Sequence, residues 1–147
     1  MHTLYTMGYA STDPAKLLDW AQVHQAIVAD VRFKPYARDA RWREDALRKL
    51  LGDRYQYLHA WGNVNYKGDK GPDVIFADWQ KGAQRVQRWL EKQPVCLLCG
   101  CWDLKVCHRR EAAQRLQALW TDQGNVEHID LVERKPEKPK DEQLSLL

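Results

Sequence analysis

Two short runs constrain the fold more than anything else in this chain. AIVADV at 26–31 and PVCLLC at 94–99 are almost continuously apolar, do not alternate, and are too short for ordinary helices. Runs of this kind are strands buried on both faces, which belong inside a parallel sheet with helices on either side. The segments between them carry helix signals. Asp13 followed by Pro14 is a cap residue followed by the favoured first helical residue, and Leu17, Leu18 and Ala21 make an apolar stripe to about His24. Residues 42–51 put Ala46, Leu47, Leu50 and Leu51 inward and stop at Gly52. Asp78 can cap a helix to about Glu91, with Ala83, Val86, Trp89 and Leu90 inward. A helix over 107–121 buries Ala112, Ala113, Leu116, Leu119 and Trp120. Further strands are expected over 2–7, 55–60 and 126–131, with a long loop over 61–78. Strand and helix alternate throughout, so the expected fold class is α/β: a single three-layer domain with a mostly parallel sheet of about five strands.

Length agrees with one domain. At 147 residues the chain can bury about 70% of the surface its unfolded form exposes, and needs neither disulfide nor metal to fold. Residues 1–132 are assigned to that domain. From Glu133 the chain reads ERKPEKPKDE, with no apolar side chain except proline, so 133–147 is expected to be a flexible linker and terminal interaction peptide. No apolar run is long enough to span a bilayer. The stretch MHTLYTMGYA has no basic segment ahead of an apolar core, so no secretory leader and no membrane partner are expected, and the cytoplasm is the default compartment.

In a parallel sheet, ligands bind beyond the carboxyl ends of the strands. Those ends bring together Tyr9 and Ser11 after the first strand, Asp30 and Arg32 after the second, and Asn63 and Asn65 beyond the third. The fourth contributes Cys99, with Cys107, His108 and Arg109 opening the next helix. All four cysteines (Cys96, Cys99, Cys101 and Cys107) fall within this one stretch, which argues against a disulfide framework spread along the chain. Cys107 at a helix N-terminus beside His108, Arg109 and Arg110 is placed to favour thiolate, and Cys99 at a strand end is a second candidate nucleophile. Cys96, deep in its strand, reads as a small core hydrophobe.

Arg32 at a strand end reads as an anion clamp held by Asp30, with Arg38 and Arg41 following in the same segment. Residues 32–54 hold eight Lys/Arg against four Asp/Glu, although the whole chain carries a formal charge of only +3. Asp30 and Asp103 are candidate proton-handling acids, and the amides of Asn63 and Asn65 could read a base edge. No cofactor is required by this reading. Cys99, Cys101, Cys107 and His108 form an alternative donor set for zinc or an iron–sulfur cluster, but their C-x-C-x5-C-H spacing differs from the paired knuckles of common structural zinc sites.

The stretches TMGYAS, ADVRFKPYAR, YLHAWGNVNYKG and LLCGCWDLKVCHRREAAQRL together resemble the bacterial domain-of-unknown-function 488 family. The resemblance covers residues 4 to about 130 and implies a compact α/β domain. It implies site positions at Tyr9, Asp30, Arg32, Pro35, Cys99, Cys107, His108 and Arg109, and it implies no particular reaction. A DVR strand with a later strand-end cysteine also resembles rhodanese-type sulfurtransferases, with a longer connection in place of their compact phosphate loop.

The terminal EQLSLL resembles the short peptide by which bacterial polymerases and repair proteins dock on the sliding clamp. Gln143 would supply amide hydrogen bonds and Leu144, Leu146 and Leu147 the apolar anchors. The expectation is therefore a cytoplasmic enzyme directed at nucleic acid or nucleotides, plausibly in DNA repair or modification and recruited by the clamp. Cys99 or Cys107 would attack, while Arg32, Arg109 and the helix N-terminus hold phosphate. The basic segment 32–54 and the loop 61–73 would contact polynucleotide. Two alternatives stand beside it: a sulfur-transfer enzyme for a small molecule, and a non-enzymatic adaptor that binds metal through its cysteines.

Overall fold

The computed structural model describes residues 1–100, 107–120 and 124–131. Among them, strands and helices alternate as β1 (Leu4–Gly8), α1 (Pro14–His24), β2 (Ile27–Asp30), α2 (Glu44–Leu51), β3 (Tyr55–Tyr57), α3 (Trp79–Leu90), β4 (Val95–Cys99), α4 (His108–Leu119) and β5 (Val126–Ile129). The strands form one sheet in the order β3-β2-β4-β1-β5, and every pairing is parallel. The fold is α/β.

The strand order dictates which face each helix covers. From β1 to β2 to β3 the chain moves toward one edge of the sheet, and from β3 to β4 to β5 it moves back. Right-handed crossovers then put the outward helices on one face and the returning helices on the other. Accordingly Leu17 and Ala21 of α1 and Leu47 and Leu51 of α2 pack with Met7, Val28, Cys96 and Leu98. Ala83, Val86 and Leu90 of α3 and Ala112, Ala113 and Leu116 of α4 pack with Leu4, Ile27, Ala29, Val95 and Leu97. Alternate residues of β2 and β4 thus enter opposite cores, which is why both runs are apolar but for Asp30 at the end of β2.

The predicted caps form. The Asp13 carboxylate accepts the Ala15 N–H at 2.9 Å and that of Asp78 accepts the Lys81 N–H at 3.2 Å. Some boundaries differ from the sequence reading. The helix predicted from Trp42 begins at Glu44, because Asp39 caps a separate 3-10 turn at Ala40–Trp42 and Arg43 is extended. The third strand ends at Tyr57, where a 3-10 turn at His59–Trp61 begins shortly after. Leu50 and Leu119, expected inside, are 36% and 60% exposed. The buried rows run Leu47–Leu51 and Ala112–Leu116–Trp120 at i, i+4 spacing, and each of these leucines falls beside its row.

Gly82 shows how tightly α3 sits. A Cβ there would lie 2.0 Å from the Trp61 ring, which stacks on Trp79 at 4.8 Å. No helix among the described residues is long and apolar enough to cross a membrane. The linker and terminal peptide, with Gln143, Leu144, Leu146 and Leu147, lie outside the described residues, as do Cys101 and Asp103.

Candidate functional site

The neighbours β2, β4 and β1 send their chains to opposite faces of the sheet, and beyond their carboxyl ends the connections diverge. This is where an open parallel sheet forms its crevice. A cleft of about 770 Å³ lies there, lined by Tyr9, Arg32 and Cys99 from the strand ends, by His108 from α4, and by Phe33 and Tyr66 from the loops. Its volume falls within the range of small-molecule sites.

One wall rests on a buried ion pair. The Asp30 carboxylate accepts from Arg32 Nε at 2.9 Å and Nη2 at 2.6 Å, a two-pronged fork, and from the Arg32 backbone N–H at 3.1 Å. The Tyr55 hydroxyl donates to the same carboxylate at 2.5 Å. Burial opposes the charge on Arg32, but the hydrogen bonds and charge of Asp30 outweigh it and hold the guanidinium above its ordinary pKa. Burial first, and the Asp30 charge second, raise the Tyr55 phenol well above its ordinary value and push Tyr57 up to about 12. Tyr57 donates to the Phe33 carbonyl at 2.6 Å, tying β3 to the start of the cleft wall.

With Nε and Nη2 engaged, Arg32 directs Nη1 to the Tyr9 hydroxyl at 3.5 Å. The Tyr9 ring lies between the Arg32 guanidinium, 5.3 Å from its centroid, and Trp42, stacked at 4.6 Å. Trp42 is itself buried and donates Nε1–H to the Thr12 carbonyl at 3.1 Å. This stack fixes Tyr9 at the rim.

The opposite wall carries the sulfur chemistry. Cys99 Sγ lies 3.7 Å from His108 Nδ1, and His108 Nε2 lies 2.7 Å from the Val31 carbonyl. A carbonyl oxygen only accepts, so Nε2 carries a proton and Nδ1 is the ring nitrogen turned to the Cys99 sulfur. Sulfur, imidazole and orienting acceptor therefore stand in sequence, with the acceptor supplied by the residue that follows β2. Cys107 is the N-cap residue of α4, with an extended backbone. Its Sγ, the Cys99 Sγ and a ring nitrogen of His108 all lie within 4.8 Å of one another. Cys96 faces the other core, where burial pushes its thiol up to about 12 and leaves it protonated.

The structure thus brings Tyr9, Asp30, Arg32, Cys99, Cys107 and His108 together, and sorts the remaining expected residues differently. Asn63 and Asn65 line the cleft but build its loop. Asn63 Oδ1 accepts the N–H groups of Asn65 and Ile75, at 2.9 and 3.0 Å. Asn65 donates Nδ2 to the Gly71 and Asp73 carbonyls at 2.9 and 2.8 Å and accepts from the Lys70 N–H at 2.9 Å. These amides hold 63–75 in shape.

Arg109 does not line the cleft. Successive helical residues point about 100° apart, so with His108 facing the cleft, Arg109 turns beneath β1, buried, and donates Nη1 to Thr6 Oγ1 at 3.0 Å. Thr6 Oγ1 also bonds His128 Nδ1. The contact shown for Arg109 is thus a structural one, made away from the cleft where a phosphate contact was expected. Ser11 and Arg41 line a separate depression of about 370 Å³, which shares Tyr9 with the cleft. Arg41 there forks onto Asp39, with Nη2 2.7 Å from Oδ2. Arg38 is exposed and lines neither.

The sequence reading missed Phe33, Lys34, Tyr36, Tyr66 and Lys67 as individual lining residues. The signal was present in the adjacent pairs Phe33-Lys34 and Tyr66-Lys67, an aromatic ring next to a cation on two loops beyond the strand ends. Phe33 and Tyr66 come within 5.8 Å, ring centroid to centroid. Comparison of the chain with family models, with curated proteins and with solved structures returned no match.

Proposed function

We propose that this protein is a cysteine-dependent enzyme acting on a nucleotide, free or within a nucleic-acid strand. The observation that carries the reading is the Cys99–His108–Val31 arrangement at the cleft, with Sγ 3.7 Å from Nδ1 and Nε2 2.7 Å from the carbonyl. His108 Nδ1 takes the thiol proton as Cys99 Sγ forms a bond to an electrophilic substrate atom. The bond to the leaving group breaks, and the proton on Nδ1 passes to that group. The Cys99-bound intermediate is then released by water.

The lining supports the substrate class. Phe33, Tyr36 and Tyr66 offer rings to a base, while Arg32 Nη1, Lys34 and Lys67 offer positive charge to phosphate. Asp30 neutralises much of Arg32, so Lys34 and Lys67 carry the exposed share of that charge. Recruitment to DNA by the sliding clamp, through Gln143, Leu144, Leu146 and Leu147, belongs to the same proposal, as does a role in repair or modification.

The test exposes the full chain to free nucleotides and to single- and double-stranded oligonucleotides with altered bases. Mass spectrometry then reads adducts on Cys99 and any released product. An adduct or product that is lost in Cys99→Ser and retained in Cys96→Ser is the expected result. Turnover by Cys99→Ser at the wild-type rate would remove the nucleophile from the mechanism. Clamp binding by the full chain, absent in a chain ending at Glu142, is expected alongside it.

A second reading, sulfur transfer, is favoured by the closeness of the Cys99 and Cys107 sulfurs. It predicts a cyanide-removable sulfur adduct on the native protein.

A further inference from the structure

The three side chains at the end of β4 and the start of α4 have a property that a nucleophile and its base do not require. Cys99 Sγ, Cys107 Sγ and one ring nitrogen of His108 lie mutually within 4.8 Å. Two soft sulfurs and an imidazole are the donor set that selects a thiophilic divalent ion over calcium or magnesium. Around tetrahedral zinc, with bonds of about 2.3 Å to sulfur and 2.0 Å to nitrogen, an S···N edge is roughly 3.5 Å. The Cys99 Sγ to His108 Nδ1 separation is 3.7 Å. The donors therefore stand close to ligating distance before any ion arrives.

The second observation is the orientation of the imidazole. A metal-bound histidine commonly donates its other ring N–H to a carbonyl or carboxylate, which fixes the tautomer and aims the lone pair. His108 does this through Nε2 to the Val31 carbonyl at 2.7 Å, leaving Nδ1 on the side of the sulfurs. Cys99 and His108 both line the cleft, so the seat is reached from the same side as substrate. Cys101 lies outside the described residues.

We infer that Cys99, Cys107 and His108 form a seat for a zinc-class divalent ion, and that the ion switches off the site by occupying its nucleophile and its base. Coordination replaces the two thiol protons, which leave to solvent, and no oxidant or reductant is involved. The seat rests on geometry alone, whereas its regulatory consequence rests on Cys99 being the reactive thiol. Cys107, which does not line the cleft, gains a role as the ligand that makes the seat selective.

The experiment uses the full chain freed of metal by a chelator and then titrated with cobalt(II). One equivalent is expected to produce thiolate-to-cobalt charge-transfer absorption and tetrahedral ligand-field bands, which zinc then displaces. Cys107→Ser, shown to be folded by circular dichroism, is expected to weaken binding by on the order of 100-fold. Absence of the charge-transfer band in the wild-type chain, or unchanged binding in Cys107→Ser, overturns the seat.

The switch is read separately, as the rate at which iodoacetamide alkylates Cys99. Stoichiometric zinc is expected to suppress that rate, and an unchanged rate overturns the switch. In metal-free protein the same rate, compared with His108→Gln, tests the proposed nucleophile. Cobalt binding without any His108 dependence of alkylation would thus retire the nucleophile and leave the seat standing.

Discussion

Asp30 and Cys99 end neighbouring strands, yet their surroundings differ in kind. The Asp30 carboxylate is fully buried and accepts four hydrogen bonds, two from the Arg32 side chain, one from the Arg32 backbone and one from Tyr55. Those partners are short, directional and nearly closed to water. The Cys99 thiol faces the cleft beside a histidine nitrogen at 3.7 Å and a second sulfur. The first region is a brace whose value lies in not changing. The second is a set of soft donors, the groups on which the proposed chemistry depends. A cleft built partly from loops gains from having one wall that cannot yield.

The contrast is broken most directly at the brace. Asp30→Ala leaves the Arg32 guanidinium buried without its partner, and should cost about 3–5 kcal/mol in unfolding free energy by urea titration. A smaller loss than 1 kcal/mol would mean that the brace carries no load. Tyr55→Phe removes one donor to the same carboxylate and keeps the rest, so about 1.5–3 kcal/mol is expected in the same titration.

His108→Gln sharpens the other half of the comparison. Stability should change by only about 1 kcal/mol, while the Cys99 alkylation rate in metal-free protein falls tenfold or more as the base is lost. A large loss of stability in this variant would place His108 with the brace.

The smallest effect is expected from Tyr57. Its folded pKa, pushed up to about 12 by burial and then by the Asp30 charge, lies above the ordinary value of 10. The folded chain therefore holds the phenolic proton more firmly than the unfolded chain. The stabilisation is complete below pH 10 and is lost as pH rises toward 12. Thermal unfolding followed over that window should show a shallower decline in Tyr57→Phe. The ring is only half-buried, so water weakens the effect.

The sheet was legible because 26–31 and 94–99 are apolar at nearly every position, as a doubly covered strand requires, with Asp30 the one charge. The meeting of Asp30, Arg32, Cys99 and His108 was legible because all four sit at strand ends or at the first turn after one. The order of the strands was not, since nothing local in VCLLC says that it lies between β1 and β2. Adjacent helical residues were beyond reach for a similar reason. Whether His108 or Arg109 faces the cleft depends on the rotation of α4 against β1, which Thr6 and the buried Ala112, Ala113 and Leu116 decide. The loop-building bonds of Asn63 and Asn65 were out of reach too, because an amide in a loop reads the same whether it faces a ligand or closes on Gly71, Asp73 and Ile75.

The central place of β4 has a consequence for how the chain reaches its native state. β1 and β2 do not pair with each other; each pairs with β4, more than 60 residues downstream of β2. During synthesis, β2 and β3 can associate early, but β1 has no neighbour until residues 95–99 have left the ribosome. Every pairing except that of β2 with β3 spans more than 60 residues, a topology of high contact order that folds slowly and exposes apolar edges while it waits. The three strand ends that build the cleft become neighbours in one late step, so a nascent chain stalled before β4 can pair β2 with β3 around Asp30 and Tyr55 but has neither the cleft nor the thiol pair.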